Sequence, residues 1–144
     1  MGVSAGEFDG RPMAVRAISN QPDEATRQRF GTLCLISWDY SSGATENGMP
    51  LPDMAKSMTR WEIGLDEHLD IELDESGPPQ GIAIKAIIAT NNGLRRLFYY
   101  AQKPTEFVAA FESAKAALGP APVTLDVQAD PTWGAFQAYY GPTP

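Results

Sequence analysis

One cysteine and one histidine in 144 residues set the first limits on chemistry. Cys34 can form no disulfide within the chain, so cysteine usage leaves the redox compartment open. Cys34 and His68 cannot by themselves supply the usual nitrogen and sulfur ligand set of zinc. A histidine-based triad would have to use His68, and no G-x-S-x-G elbow is present. Neither G-x-x-x-x-G-K nor G-x-G-x-x-G occurs, which removes the common phosphate-cradling loops. No apolar run approaches the ~20 residues of a membrane span. The longest, Ile82 to Ala89, is interrupted by Lys85 and has the length of a strand. The opening MGVSAGEFDGR shows no basic segment followed by an apolar one, so the expectation is a cytoplasmic protein with no signal peptide and no cofactor.

The net charge is −7 and unevenly placed. Residues 53 to 75 hold eight carboxylates against Lys56 and Arg60, leaving the rest of the chain close to neutral. An acidic surface repels phosphate backbones, which argues against nucleic-acid binding and suits solubility or a basic partner. Within that block DIELDE (70–75) alternates carboxylates but lacks the spacing of a calcium-binding EF-hand loop, and reads as a solvated exit from a helix. His68 reads as a surface or boundary residue.

Periodicity gives the element order. EFDGRPMAVRAIS is a hairpin around Asp9-Gly10, and PDEATRQRFG (22–31) offers one or two helical turns with Pro22 in the first position. TLCLISWDY (32–40) is a strand, and SSGATENGMPLP (41–52) a loop. Met54, Met58, Trp61, Leu65 and Leu69 recur at helical steps, with Asp53 placed to cap them. GIAIKAIIAT (81–90) alternates, putting Ile82, Ile84, Ala86 and Ile88 on one face and Lys85 on the other. A returning strand runs from Leu94 to Ala101. A second helix spans 104–119, with Phe107, Val108, Phe111, Ala114 and Leu118 on one stripe, and PVTLDVQAD (122–130) is a half-exposed strand. DPTWGAFQAYY is a short helix capped by Asp130 and begun by Pro131, with Trp133, Phe136 and Tyr140 on one face.

This order predicts one α+β domain with a ferredoxin-like βαββαβ core. Residues 1–31 add an N-terminal hairpin and short helix, 32–130 form the core, and 131–144 form a C-terminal helix and tail. Two helices cover one face of an antiparallel sheet, and the other face is open or covered by the added elements.

The LPD stretch (51–53) before a helix, the NNGLRRLFYY hairpin, and DPTW (130–133) followed by aromatics together resemble the bacterial domain of unknown function 695 family, from about Phe8 to Tyr140. The resemblance implies the fold and no assigned activity. Some members of that family are joined to, or grouped with, domains similar to regulator of ribonuclease activity B, an acidic protein that binds and inhibits a nuclease, and by that association the resemblance implies a regulatory role.

TNNGLRRLFYY (90–100) is the segment with most to say about function. If Asn92-Gly93 forms a two-residue type I′ turn, Asn91 pairs with Leu94, Ile88 with Leu97, Ala86 with Tyr99, and Lys85 with Tyr100. Leu97 and Tyr99 then lie under the helices. Arg96, Phe98 and Tyr100 share the opposite face with Ile87 and Lys85. A three-residue loop with a bulge at Gly93 would swap every side chain to the other face. Under the first register, Lys85, Arg96 and Tyr100, with Arg95 at the edge, form a basic-aromatic patch of residue types enriched at binding hot spots. The plainer alternative has the N-terminal hairpin or the aromatic C-terminal helix covering this face, with Arg96 paired to Asp39 or Asp126.

The expectation is a non-enzymatic protein-binding or regulatory domain that meets an unidentified protein partner through this patch. The alternatives are a small enzyme or anion-binding protein using Arg96, and a homodimer formed by two open sheet faces. RNA-recognition modules stack bases on the same strand of this fold, but RRLFYYAQ lacks their glycine and aromatic order.

Overall fold

A computed structural model describes residues 2–8, 11–18, 22–69 and 81–140. The Asp9-Gly10 turn, DIELDE (70–75) and ESGPP (75–79) lie outside the described residues. Strands β1 (Gly2–Phe8), β2 (Arg11–Ala17), β3 (Thr32–Asp39), β4 (Ala83–Asn91), β5 (Leu94–Ala101) and β6 (Val123–Ala129) form one sheet in the order β1-β2-β4-β5-β3-β6. Every pairing is antiparallel. Helices α1 (Glu24–Arg29), α2 (Pro52–Leu69), α3 (Pro104–Leu118) and α4 (Gly134–Tyr140) connect or follow them.

The last four strands of that order are the ferredoxin-like arrangement of the βαββαβ core, with β3 and β5 central. The N-terminal hairpin does not fold over the sheet. It lengthens it, β2 pairing with β4 through Ala14–Thr90, Val15–Ala89, Arg16–Ile88 and Ala17–Ile87.

Two cores result, one on each side. On the helix side Cys34, Ile36, Trp38, Leu97 and Tyr99 meet Met58, Trp61 and Leu65 of α2 and Phe107, Phe111 and Ala114 of α3. Trp61 stands edge-on to both Trp38 and Phe111, at 5.5 and 6.3 Å, an arrangement favoured by ring quadrupoles. The helices cross where α2 carries Gly64: a Cβ there would fall 2.6 Å from Leu118 Cδ2. On the outer side Val15, Leu33, Ala86, Ile87, Phe98 and Tyr100 meet Phe30, Trp133 and Phe136.

Three helix starts differ in detail from the sequence reading. Asp23, not Pro22, begins α1, its carboxylate accepting the Thr26 N–H at 2.8 Å. Asp53 lies inside the first turn of α2, where a negative charge favours the helix dipole without capping. Asp130 does cap α4, accepting from Gly134 and Ala135 N–H at 2.9 and 3.1 Å. Pro131 precedes that helix, which begins at Gly134 after Trp133 in a left-handed conformation (φ 59°).

Candidate functional site

The β4–β5 turn is the two-residue type I′ form. Asn92 and Gly93 both have positive φ (49° and 78°), and Asn91 faces Leu94. From there Ile88 meets Leu97 and Ile87 meets Phe98, so Arg96, Phe98 and Tyr100 take the outer face as the alternation requires. The register then shifts. A bulge between Lys85 and Ile87 places Ala86 and Ile87 on the same side, and Lys85 faces Tyr99 while Ile84 faces Tyr100. The extra residue keeps its carbonyl satisfied by the Ile18 N–H at 3.0 Å.

The bulge corrects the expected pairings of Ala86 with Tyr99 and Lys85 with Tyr100, and it divides the expected patch. Lys85 points to the helix side, and Ile84 and Ala86 to the outer side. Arg95 is also on the helix side. Of the four residues, Arg96 and Tyr100 share the outer face, and they occupy different surroundings there.

Lys85 and Arg95 enter a compact charge cluster beneath α2. Lys85 Nζ donates to Glu62, and to Asp66 Oδ2 at 2.7 Å. Tyr99 OH donates to Asp66 Oδ1 at 2.6 Å. Arg95 Nε donates to Thr90 Oγ1 at 3.0 Å, and its Nη1 lies 3.8 Å from Glu62 Oε2. Glu62 and Asp66 are one helical turn apart, which sets both carboxylates on the flank of α2 facing β4. Two carboxylates meet two cations, so the buried charges balance. Burial, reinforced by the two carboxylates, pushes the Tyr99 hydroxyl well above its ordinary pKa. This cluster ties α2 to the sheet.

Tyr100 is fully buried. Its ring stacks on Trp133 with centroids 4.0 Å apart. Its hydroxyl donates to Asp130 Oδ2 at 2.7 Å and accepts the Phe136 N–H at 3.1 Å. Trp133 Nε1 in turn donates to the Phe30 carbonyl at 3.0 Å. The DPTW segment is therefore a cover for one half of the outer face, and Tyr100 is closed off from any partner. Sequence reasoning named this covering among its alternatives, but its accompanying pairing of Arg96 with Asp39 or Asp126 does not occur.

Arg96 lies beyond the edge of that cover, in the row that runs Thr124, Ser37, Arg96, Ala89, Val15 across the sheet. Its guanidinium is half-buried. Nη2 donates to Asn91 Oδ1 at 3.2 Å, and Nε is buried with no acceptor. Among the described residues, no carboxylate pairs with it. Ser37, Leu35, Leu94 and Met13 nearby on the same face are half-exposed, and Thr124 and Asp39 are exposed. Among the described residues, the end of the outer face nearest the β4–β5 turn is thus partly exposed, with an under-used guanidinium at its centre.

The loop after β3 braces this end of the sheet. Tyr40 OH donates to the Gly48 carbonyl at 2.6 Å, and the Gly93 N–H donates to the same carbonyl at 2.9 Å. Gly48 is required there, since its φ is 86° and a Cβ would fall 2.8 Å from Asn92 Cα. A shallow depression of about 430 Å³ lies at the start of α2, lined by Gly43, Leu51, Pro52, Asp53 and Met54. His68 is exposed, its Nδ1 2.9 Å from the Gly64 carbonyl. Among the described residues no group of three or more His, Cys, Asp or Glu side chains is placed to hold a metal, and no helix is long and apolar enough to cross a membrane.

The model of the family of unknown function DUF695 matches residues 3–140. No curated protein and no solved structure is similar enough to match.

Proposed function

We propose, for a chain that belongs to the DUF695 family, a non-enzymatic binding role in which the open end of the outer sheet face receives an acidic side chain of a protein partner. The observation that carries this reading is Arg96. A half-buried guanidinium whose contact is a neutral amide, with Nε left without an acceptor, carries a charge that no carboxylate among the described residues meets. A carboxylate approaching the accessible part of the guanidinium would supply a charge-assisted contact in place of a neutral one. The half-exposed Leu35, Leu94 and Met13 offer apolar surroundings that would strengthen such a contact by excluding water.

This reading keeps Arg96 from the expected patch and releases Lys85, Arg95 and Tyr100 to structural roles. The experiment is capture of partners from extract of the source organism by wild type and by Arg96→Ala, followed by calorimetric titration of the purified partner. An Arg96 anchor predicts a dissociation constant at least roughly tenfold weaker in Arg96→Ala, with weaker binding at high salt. Equal capture and equal affinity with both proteins would remove Arg96 from the interface. Titration with simple dicarboxylates tests the competing small-anion reading: tight binding of these, lost in Arg96→Ala, would replace a protein partner by a metabolite.

A further inference from the structure

Strand β6 ends the sheet beside β3. The Asp39 N–H donates to the Pro122 carbonyl at 3.1 Å, and the Asp130 N–H to the Gly31 carbonyl at 2.8 Å. These bonds fix the phase of the ladder: the even-numbered residues of β6 direct their amides at β3, and Leu125, Val127 and Ala129 direct theirs away from the sheet. Natural edges of this length are usually blunted by lysine, proline, a bulge or a covering segment. β6 has seven residues, none of them lysine, arginine or proline, and its pairing with β3 is regular throughout. Val127, one residue past its middle, is 43% exposed.

We propose that this edge is a self-association surface, where β6 of two copies pairs antiparallel about a two-fold axis at Val127 and joins two six-stranded sheets into one. The sequence of β6 is self-complementary in this register. Val127 faces Val127 of the second copy, Leu125 faces Ala129, and Asp126 faces the neutral Gln128. The outward amides of Leu125, Val127 and Ala129 then find partners in the same three residues of the other copy. A register centred on Asp126 would bring two carboxylates directly opposite each other, a destabilising pair. One centred on Leu125 would need the Val123 N–H, which already donates to the Ala121 carbonyl at 2.8 Å.

Charge permits the approach. The acidic block of residues 53–75 begins on α2, which is tied to β4 and β5 through Lys85 and Tyr99, whereas α3 lies over β3 beside the β6 edge. Two copies meeting at β6 therefore keep the Glu62 and Asp66 carboxylates of α2 apart. The arrangement differs from a dimer of packed sheet faces, which the covering of the outer face by α4 and Phe30 disfavours.

Sedimentation and light scattering test this directly. At a concentration on the order of 100 μM, wild type is expected at twice the 15.6 kDa of one chain. Val127→Lys sets two like charges opposite each other, and Val127→Pro removes an outward donor while sparing the ladder to β3. Either should weaken the dimer roughly tenfold or more, with circular dichroism unchanged. Asp126→Asn should leave its affinity unchanged. In wild type the amides of Leu125, Val127 and Ala129 should exchange slowly, and in Val127→Lys quickly. A wild type that stays monomeric, or a dimer indifferent to Val127→Lys, overturns the proposal. A dimer strengthened by Asp126→Asn overturns the register.

Discussion

Replacing Tyr100 by phenylalanine removes one oxygen that serves two bonds, and the structure allows its cost to be worked out. The hydroxyl donates to a carboxylate, Asp130 Oδ2, and accepts the N–H of Phe136, a fully buried residue. Asp130 keeps its bonds from Gly134 and Ala135, so its loss is partial, whereas the Phe136 N–H loses its acceptor. A hydrogen bond to a charged group contributes about 1.5–3 kcal/mol, and a buried donor left unmet costs about 1–3 kcal/mol. Because the carboxylate retains partners, Tyr100→Phe should cost about 2–4 kcal/mol in all. For a chain of this length that is a fall in Tm of roughly 6–12 °C.

The pH dependence sharpens the test. Burial, aided by Asp130, raises the Tyr100 hydroxyl above its ordinary value of 10.0. A raised pKa on a group that ionises by losing a proton stabilises the fold fully below pH 10 and progressively less above it. The share of stability that Tyr100 contributes therefore falls by up to ~1.4 kcal/mol per pH unit above that point. Urea denaturation of both proteins at pH 8 and pH 11, followed by circular dichroism, should show the deficit of the variant shrinking by about that amount. A deficit below ~1 kcal/mol at pH 8, or one equal at both pH values, would refute the account of this hydroxyl.

Three further outcomes follow from other sites. Lys85→Met leaves Glu62 and Asp66 facing each other with the more distant Arg95 guanidinium, and should cost about 3–5 kcal/mol in urea denaturation, in keeping with the removal of one partner from a buried ion cluster. Gly48→Ala combines a positive φ with a close approach to Asn92 Cα, and should lower stability by about 1–3 kcal/mol, readable as a drop in Tm. Burial pushes the Cys34 thiol up to about 12, so in the native protein at pH 8 it should ignore an aromatic disulfide reagent that reacts at once in denaturant.

The element order and the ferredoxin-like topology were legible because each segment carries its own period and its own stops. The Asn92-Gly93 turn told its type, and from it the outer placement of Arg96, Phe98 and Tyr100 follows. Lys85 was misplaced because nothing in IAIKAIIA marks a bulge: no glycine or proline interrupts the alternation, and the shift exists only in the pairing of β4 with its neighbours. The tie from Lys85 to Glu62 and Asp66 could have been suspected from two carboxylates at positions i and i+4 near an apolar helix face, each otherwise costly to bury. That Arg96 meets Asn91 and no carboxylate among the described residues is a property of three-dimensional neighbours, and no local pattern announces it. The outward phase of Leu125, Val127 and Ala129 required the strand order, which places β6 at an edge.

The indole of Trp133 and the Phe30 carbonyl it holds are 103 residues apart, and that span bears on how the chain emerges during synthesis. Chains grow from the N-terminus at about 5–20 residues per second, so β3, β4 and β5 can pair before the covering segment exists. Through that interval Phe30, Leu33, Phe98 and Tyr100 form a naked apolar strip. The last-made segment is thus a closing clasp, and a released chain that ended near residue 129 would hold every strand of the sheet yet keep a sticky back, a natural substrate for a chaperone.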